Sequence, residues 1–137
     1  MNILALNELI EIKIVESKED LSRFIDFQYQ LYKGDSCFVP PIKSDFRKYI
    51  KGETNCLNQS GPNIKILAIK NNYICGRLLV GINEHLNEYK GLKEGYISLF
   101  ECINNSNVAK ALFDFAITWL RQRDINLIKG PLSLPCG

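Results

Sequence analysis

A chain of 137 residues, 46% apolar and 23% charged, has the size and make-up of one ordinary folded domain with a single core. Its formal charge of +2 is too small and too interspersed for a nucleic-acid surface, and the nearest thing to a basic patch, Lys43, Arg47, Lys48 and Lys51 around Tyr49, reads as the wet face of a short helix. No apolar run approaches the roughly 18 residues of a membrane span, and the apolar first ten residues have no basic lead, which reads against a secretory signal.

Residues 1–9 are expected to be a weakly ordered lead-in. From Ile10 to Val15 apolar and polar residues alternate, as in a strand with one wet face. Ser17, followed by Lys18, Glu19 and Asp20, predicts a helix start. The Ser17 hydroxyl can accept from the N–H near Asp20, and the acids sit at the positive end of the dipole. Leu21, Phe24, Ile25, Gln28, Leu31 and Tyr32 follow with helical spacing, Gln28 being the polar exception, and Gly34 is the expected stop. The paired prolines make Phe38–Ile42 extended, Ser44 can cap a short helix over Asp45–Ile50, and 51–63 reads as a loop.

Two apolar runs, Ile64–Lys70 and Tyr73–Ile82, flank Asn71-Asn72, a pair that tolerates the positive φ of a tight hairpin. Gly76 inside the second run predicts a bulge or a close neighbour, and Arg77 beside it is expected at the sheet surface. Residues 83–93 read as a polar loop carrying a solvated His85. Glu94–Ile103 is the next strand. Val108, Ala109, Leu112, Phe115, Ala116 and Trp119 then form the apolar stripe of a helix packed on a sheet, with Arg121 and Arg123 at its negative end. Asn126–Lys129 is a short last strand, and Leu132–Gly137 leaves no room for another element. The five cysteines, Cys37, Cys56, Cys75, Cys102 and Cys136, are odd in number and form no C-x-x-C pair. This argues against a disulfide framework or structural zinc site and for reduced thiols in a cytoplasmic protein. Cys75 and Cys102 read as core residues.

The expected fold is thus a single mixed α/β domain over 1–137, of α+β type with a mixed sheet, in the order β–α–α–β–β–β–α–β. Its last strand–turn–helix–strand passage points a helix N-terminus out of the end of the sheet. Free backbone N–H groups there can hold an anion, so a phosphate-bearing ligand is the first hypothesis.

That order resembles the first two-thirds of the GCN5-related N-acetyltransferase (GNAT) fold, without its C-terminal helix and strands. Within it, Phe38-Val39-Pro40-Pro41, Cys75-Gly76-Arg77-Leu78, Gly95 to Glu101, and Trp119-Leu120-Arg121 leading to Gly130-Pro131 look like a bacterial branch of that superfamily. The resemblance implies acetyl-CoA or another acyl-CoA as the acyl source and a small-molecule or peptide amine as the acceptor. It implies that Leu99, Phe100 and Cys102 line the cofactor with their backbone, beside Glu101 as a candidate general base. It further implies that Asn104, Asn105, Ser106, Asn107, Val108 and Ala109 lie at the pyrophosphate. The family's pattern of Gln or Arg, two residues, Gly, any residue, and Gly or Ala falls on Asn104, Asn107 and Ala109, of which only Ala109 agrees.

Other readings remain open at both places. Asn104–Asn107 can supply a helix cap alone, and Glu101 can be an exposed carboxylate near a strand end. An unpaired last strand further predicts a homodimer, or a missing C-terminal portion. An acyltransferase, or an inactive relative, therefore stands against a non-catalytic binding or oligomerisation module.

Overall fold

The computed structural model describes residues 9–34 and 61–132. The predicted extended segment at Phe38–Ile42, the helix Asp45–Ile50, most of the 51–63 loop and the basic group around Arg47 lie outside them. So do Cys37, Cys56, Cys136, residues 133–137 and all but the last residue of the lead-in. The described elements are β1 (Glu11–Ile14), α1 (Lys18–Leu31), β2 (Asn63–Lys70), β3 (Tyr73–Ile82), α2 (Glu84–Lys90), β4 (Glu94–Cys102), α3 (Ser106–Arg121) and β5 (Leu127–Leu132).

The strands form one sheet in the order β1-β2-β3-β4-β5. The first three pairings are antiparallel, and β4 and β5 are parallel. A parallel neighbour requires a crossover, and α3 is that crossover. Asn71 and Asn72 take φ of +53° and +66°, the paired positive values that a two-residue hairpin turn needs between β2 and β3. Ser17 caps α1 as expected, its Oγ accepting from the Asp20 N–H at 3.0 Å. The helix itself ends at Leu31, and Gly34 reaches its positive φ of +89° just beyond it.

Both faces of the sheet are covered. Val108, Leu112, Ala116, Trp119 and Leu120 of α3 pack on Ile66, Leu78, Val80 and Ile97, while Phe24 and Ile25 of α1 pack on Leu67, Leu79 and Tyr96. This double cover makes every residue from Cys75 to Ile82 buried, a continuous run rather than an alternating one. Gly76 meets both of its expectations. Ala68 pairs with Gly76 and Ile69 with Ile74, leaving Cys75 as the bulged residue. A Cβ on Gly76 would stand 2.8 Å from Leu112 Cδ1 and 3.1 Å from Val108 Cγ1, so the glycine is what lets α3 approach.

Two expectations about elements are corrected. Residues 83–93 are not a plain loop: Asn83 caps α2 by accepting from the Leu86 N–H at 3.1 Å, and Gly91 closes it at φ +65°. The helix has seven residues and none is buried, so it leaves no apolar stripe to read; His85 on it is exposed. The last strand runs through Gly130-Pro131 to Leu132 rather than stopping at Lys129, because Gly130, at φ +135°, brings its backbone close against the Ile97 carbonyl. Leu127 and Ile128 of this outermost strand are exposed.

Candidate functional site

The site is built around an irregularity in β4. Arg77 pairs with Glu101 and Leu79 with Ser98, so Leu99 and Phe100 together oppose Leu78 alone. One residue is in excess, and Leu99 absorbs it by adopting φ +56°, a left-handed conformation that costs a leucine about 1 kcal/mol. The excess shifts the alternation of side chains. Tyr96 and Leu99 both pack toward α1, while Ile97, Phe100 and Cys102 pack toward α3. In a regular strand residues three apart would lie on opposite faces.

Arg77 holds the bulge. It is not at the sheet surface, as expected from sequence, but 1% exposed beneath α1. Its Nε donates to the Leu99 carbonyl at 3.1 Å, Nη1 to the Phe24 carbonyl at 2.8 Å and Nη2 to Gln28 Oε1 at 2.6 Å. The guanidinium also lies 5.1 Å from the centroid of the Phe24 ring. Burial lowers its pKa to about 10, against the opposing pull of Glu101, Tyr32 and Tyr29, so the group stays charged at neutral pH.

The same parity shift turns Glu101 toward α1, where Tyr32 Oη donates to its Oε2 at 2.5 Å. Glu101 is half-buried rather than a freely solvated carboxylate. Phe100, on the other face, lies 4.8 Å from Phe113 between ring centroids. Cys102 is half-buried, with its Sγ donating to the Ile103 carbonyl at 2.9 Å, and burial raises its pKa. Cys75 is buried and likewise raised by desolvation, which suits core thiols rather than nucleophiles.

Beyond Cys102 the chain turns into α3. Asn105 is the cap residue, extended at φ −148°, and its Oδ1 accepts from the Asn107 N–H at 2.9 Å. The capping reading of this segment is therefore realised by Asn105. Asn104, Ser106 and Asn107 are exposed, and Asn105 and Ala109 are half-buried. Val108 is fully buried against the sheet, its backbone included. The predicted residues 99–102 and 104–109 thus form one continuous edge: a bulged strand end followed by a helix N-terminus.

The last described pair of the β4–β5 register is Ser98 with Leu132, and among the described residues no strand is registered with that side of Leu99–Cys102. An extended arm carrying its own amides can lie along a free strand edge, and an anionic end would then meet the first turn of α3. Beside that turn is a cavity of about 350 Å³ lined by Ile10, Asn107, Lys110, Ala111 and Asp114, and the Lys110 ammonium is paired there with Asp114 Oδ2 at 3.5 Å. A larger cavity, about 570 Å³, lies at the opposite end of β4 by Lys93 and Ile125, away from the bulge. Among the described residues no cluster of His, Cys, Asp and Glu could hold a metal ion, and no helix is long and apolar enough to cross a membrane.

Solved structures share this architecture. A tandem GNAT protein from the clavulanic acid biosynthesis pathway superposes with a TM-score of 0.64 at 12% identity, covering 85% of this chain and 34% of that one. The fold is that of the GNAT acetyltransferases. An aminoglycoside acetyltransferase from an uncultured soil metagenomic sample, solved with sisomicin, gives 0.61 at 15% identity over 90% of this chain and 78% of that one. A predicted acetyltransferase from Clostridium acetobutylicum, solved with acetyl-CoA, gives 0.60 at 16% identity over 93% and 82%. In sequence, Protein YghO of Escherichia coli (strain K12) is 29% identical over an alignment of 121 residues that covers 86% of this chain. The chain spans 30% of that relative's length. No family model matches.

Nothing local in the sequence marks Tyr32 or Gln28 as members of this cluster. A signal existed for Arg77, which stands inside a run of otherwise apolar residues long enough to mean a strand covered on both faces.

Proposed function

We propose that this chain carries the acyl-CoA site of an N-acyltransferase that acts on a small-molecule or peptide amine. The observation that carries the reading is the left-handed bulge at Leu99, on a strand edge with no partner strand among the described residues, that runs directly into the N-terminus of α3. When bound, acyl-CoA would supply an activated thioester: the amine nitrogen forms the new C–N bond, the C–S bond breaks, and the sulfur leaves with the electron pair and takes a proton from solvent. The backbone N–H groups of the bulge would polarise the thioester carbonyl, as preorganised donors do at developing negative charge. Glu101 would take the proton that an ammonium must lose before it can attack. Backbone amides of α3's first turn, with Lys110 nearby, would hold the phosphates.

One observation favours a second reading. Asn105 already occupies the Asn107 N–H that an anion would use, which suits a module that keeps the fold without turnover. Thermal denaturation with acetyl-CoA and with CoA separates the two. A ligand that binds only the folded chain stabilises it by about 2.7 kcal/mol at a hundred times its dissociation constant, so a clear rise in Tm is expected. An unchanged Tm with both ligands at millimolar concentration would sink the acyltransferase reading and leave the binding module.

A further inference from the structure

We propose that Arg77 is a positioning residue that fixes the Leu99–Phe100 peptide so that the Phe100 N–H faces the thioester carbonyl; the assignment rests on the acyl-transfer reading above. At the bulge two residues oppose Leu78, so the regular ladder is interrupted. The Leu99 carbonyl there accepts from Arg77 Nε at 3.1 Å. A trans peptide is planar, with its C=O and the following N–H pointing in opposite directions. With the Leu99 oxygen drawn toward Arg77 on β3, the Phe100 N–H is turned away from β3, toward the edge that no described strand pairs beyond Ser98.

The guanidinium can hold this orientation because its other arms are fixed. Nη1 and Nη2 end on the Phe24 carbonyl and Gln28 Oε1, both on α1, so the bulge is braced against a helix. Packing alone does not call for a charge here. The neighbouring Leu78, Leu79 and Val80 fill the same double-covered strand with aliphatic groups, and a buried cation is expensive unless its hydrogen bonds are needed. Three elements meet at this side chain, and what they jointly define is the peptide at the bulge. Glu101, paired across from Arg77 and held by Tyr32, falls in the same cluster, so amide and carboxylate are set by one frame.

The test needs no acceptor amine. Acetyl-CoA labelled with ¹³C at the carbonyl is bound to wild type, Arg77→Met and Arg77→Lys, and the carbonyl stretch is read by isotope-edited infrared difference spectroscopy. Wild type is expected to lower the carbonyl frequency on binding. Arg77→Met is expected to lose that lowering and to lose about tenfold in preference for acetyl-CoA over CoA, the worth of one hydrogen bond, with affinity for CoA unchanged. Arg77→Lys, which keeps the charge but not the planar fork, should recover part of the lowering. An unchanged carbonyl band in Arg77→Met would overturn the proposal while leaving the cofactor reading intact. Should Arg77→Met not fold, the wild-type Phe100 amide resonance decides: it must move with acetyl-CoA more than with CoA, and an equal response to both overturns the assignment. If wild type binds neither ligand, the acyl-transfer reading fails, and the role of Arg77 fails with it.

Discussion

The hydroxyl of Tyr32 donates to Oε2 of Glu101 at 2.5 Å, joining the residue that follows α1 to a strand position 69 residues later. The contact exists because the bulge at Leu99 has already brought Glu101 onto the α1 face. It limits the freedom of the carboxylate without removing it from solvent.

Glu101→Gln is therefore expected to lower kcat with an accepted amine by about a hundredfold or more, the usual contribution of a general base, and to leave CoA affinity by calorimetry unchanged. Tyr32→Phe keeps the carboxylate and loosens it, so a loss of about threefold to tenfold is expected. Wild-type turnover in Glu101→Gln would remove that residue from the chemistry.

Asn105 separates helix capping from anion binding. Asn105→Ala loses the bond to the Asn107 N–H and is expected to cost about 1 kcal/mol of stability. The amide it exposes becomes available, so CoA affinity should hold or improve. Asn105→Asp preserves the cap and favours the helix dipole, yet places a negative charge where the phosphates would lie. Its Tm should match or exceed wild type while CoA affinity falls about tenfold. Paired melting curves and titrations of the two variants check both signs, and equal CoA affinity in all three proteins would mean that the phosphates lie elsewhere.

Tyr96 and Arg77 give alkaline stability two opposing contributions. Burial pushes the Tyr96 phenol up to about 12 from 10.0. Below pH 10 it is protonated in both folded and unfolded chains; between 10 and 12 the unfolded chain releases a proton that the folded one keeps, so stability falls as pH rises. The slope approaches about 1.4 kcal/mol per pH unit. Arg77 acts with the opposite sign. Its folded pKa of about 10 lies below the ordinary 12.5, so the folded chain releases its proton first and stability rises through the same range. Tyr96→Phe removes only the first contribution. Its urea midpoint relative to wild type should be flat below pH 10 and climb steadily above it; a difference independent of pH would contradict the assignment.

Much of the scaffold is legible in the residues themselves. Asn71-Asn72 announces the hairpin because asparagine tolerates positive φ, and the stripe from Val108 to Trp119 announces α3 because its one-sided burial has a period the chain displays. Ser17 shows its cap by type and position. What stays hidden has no such local signature. Leu99 is left-handed although leucine has no preference for that region, since the conformation is imposed by β3 and Arg77 from a distance. Arg77 reads as a surface cation because its compensation comes from Phe24 and Gln28, some fifty positions earlier. Short α2 buries no residue fully, so its start and stop residues look like those of a turn. The elements were readable, while the site depends on contacts between them.

Arithmetically, Leu99 behaves as an insertion. Drop it from the count and Tyr96, Ser98 and Glu101 fall into step on one side of the sheet, with Ile97, Phe100 and Cys102 on the other, as in an uninterrupted strand. A chain shortened by that single residue would retain its core pattern while forfeiting the turned peptide. Within this scaffold, the difference between a regular strand and a bulged one reduces to one amino acid of length.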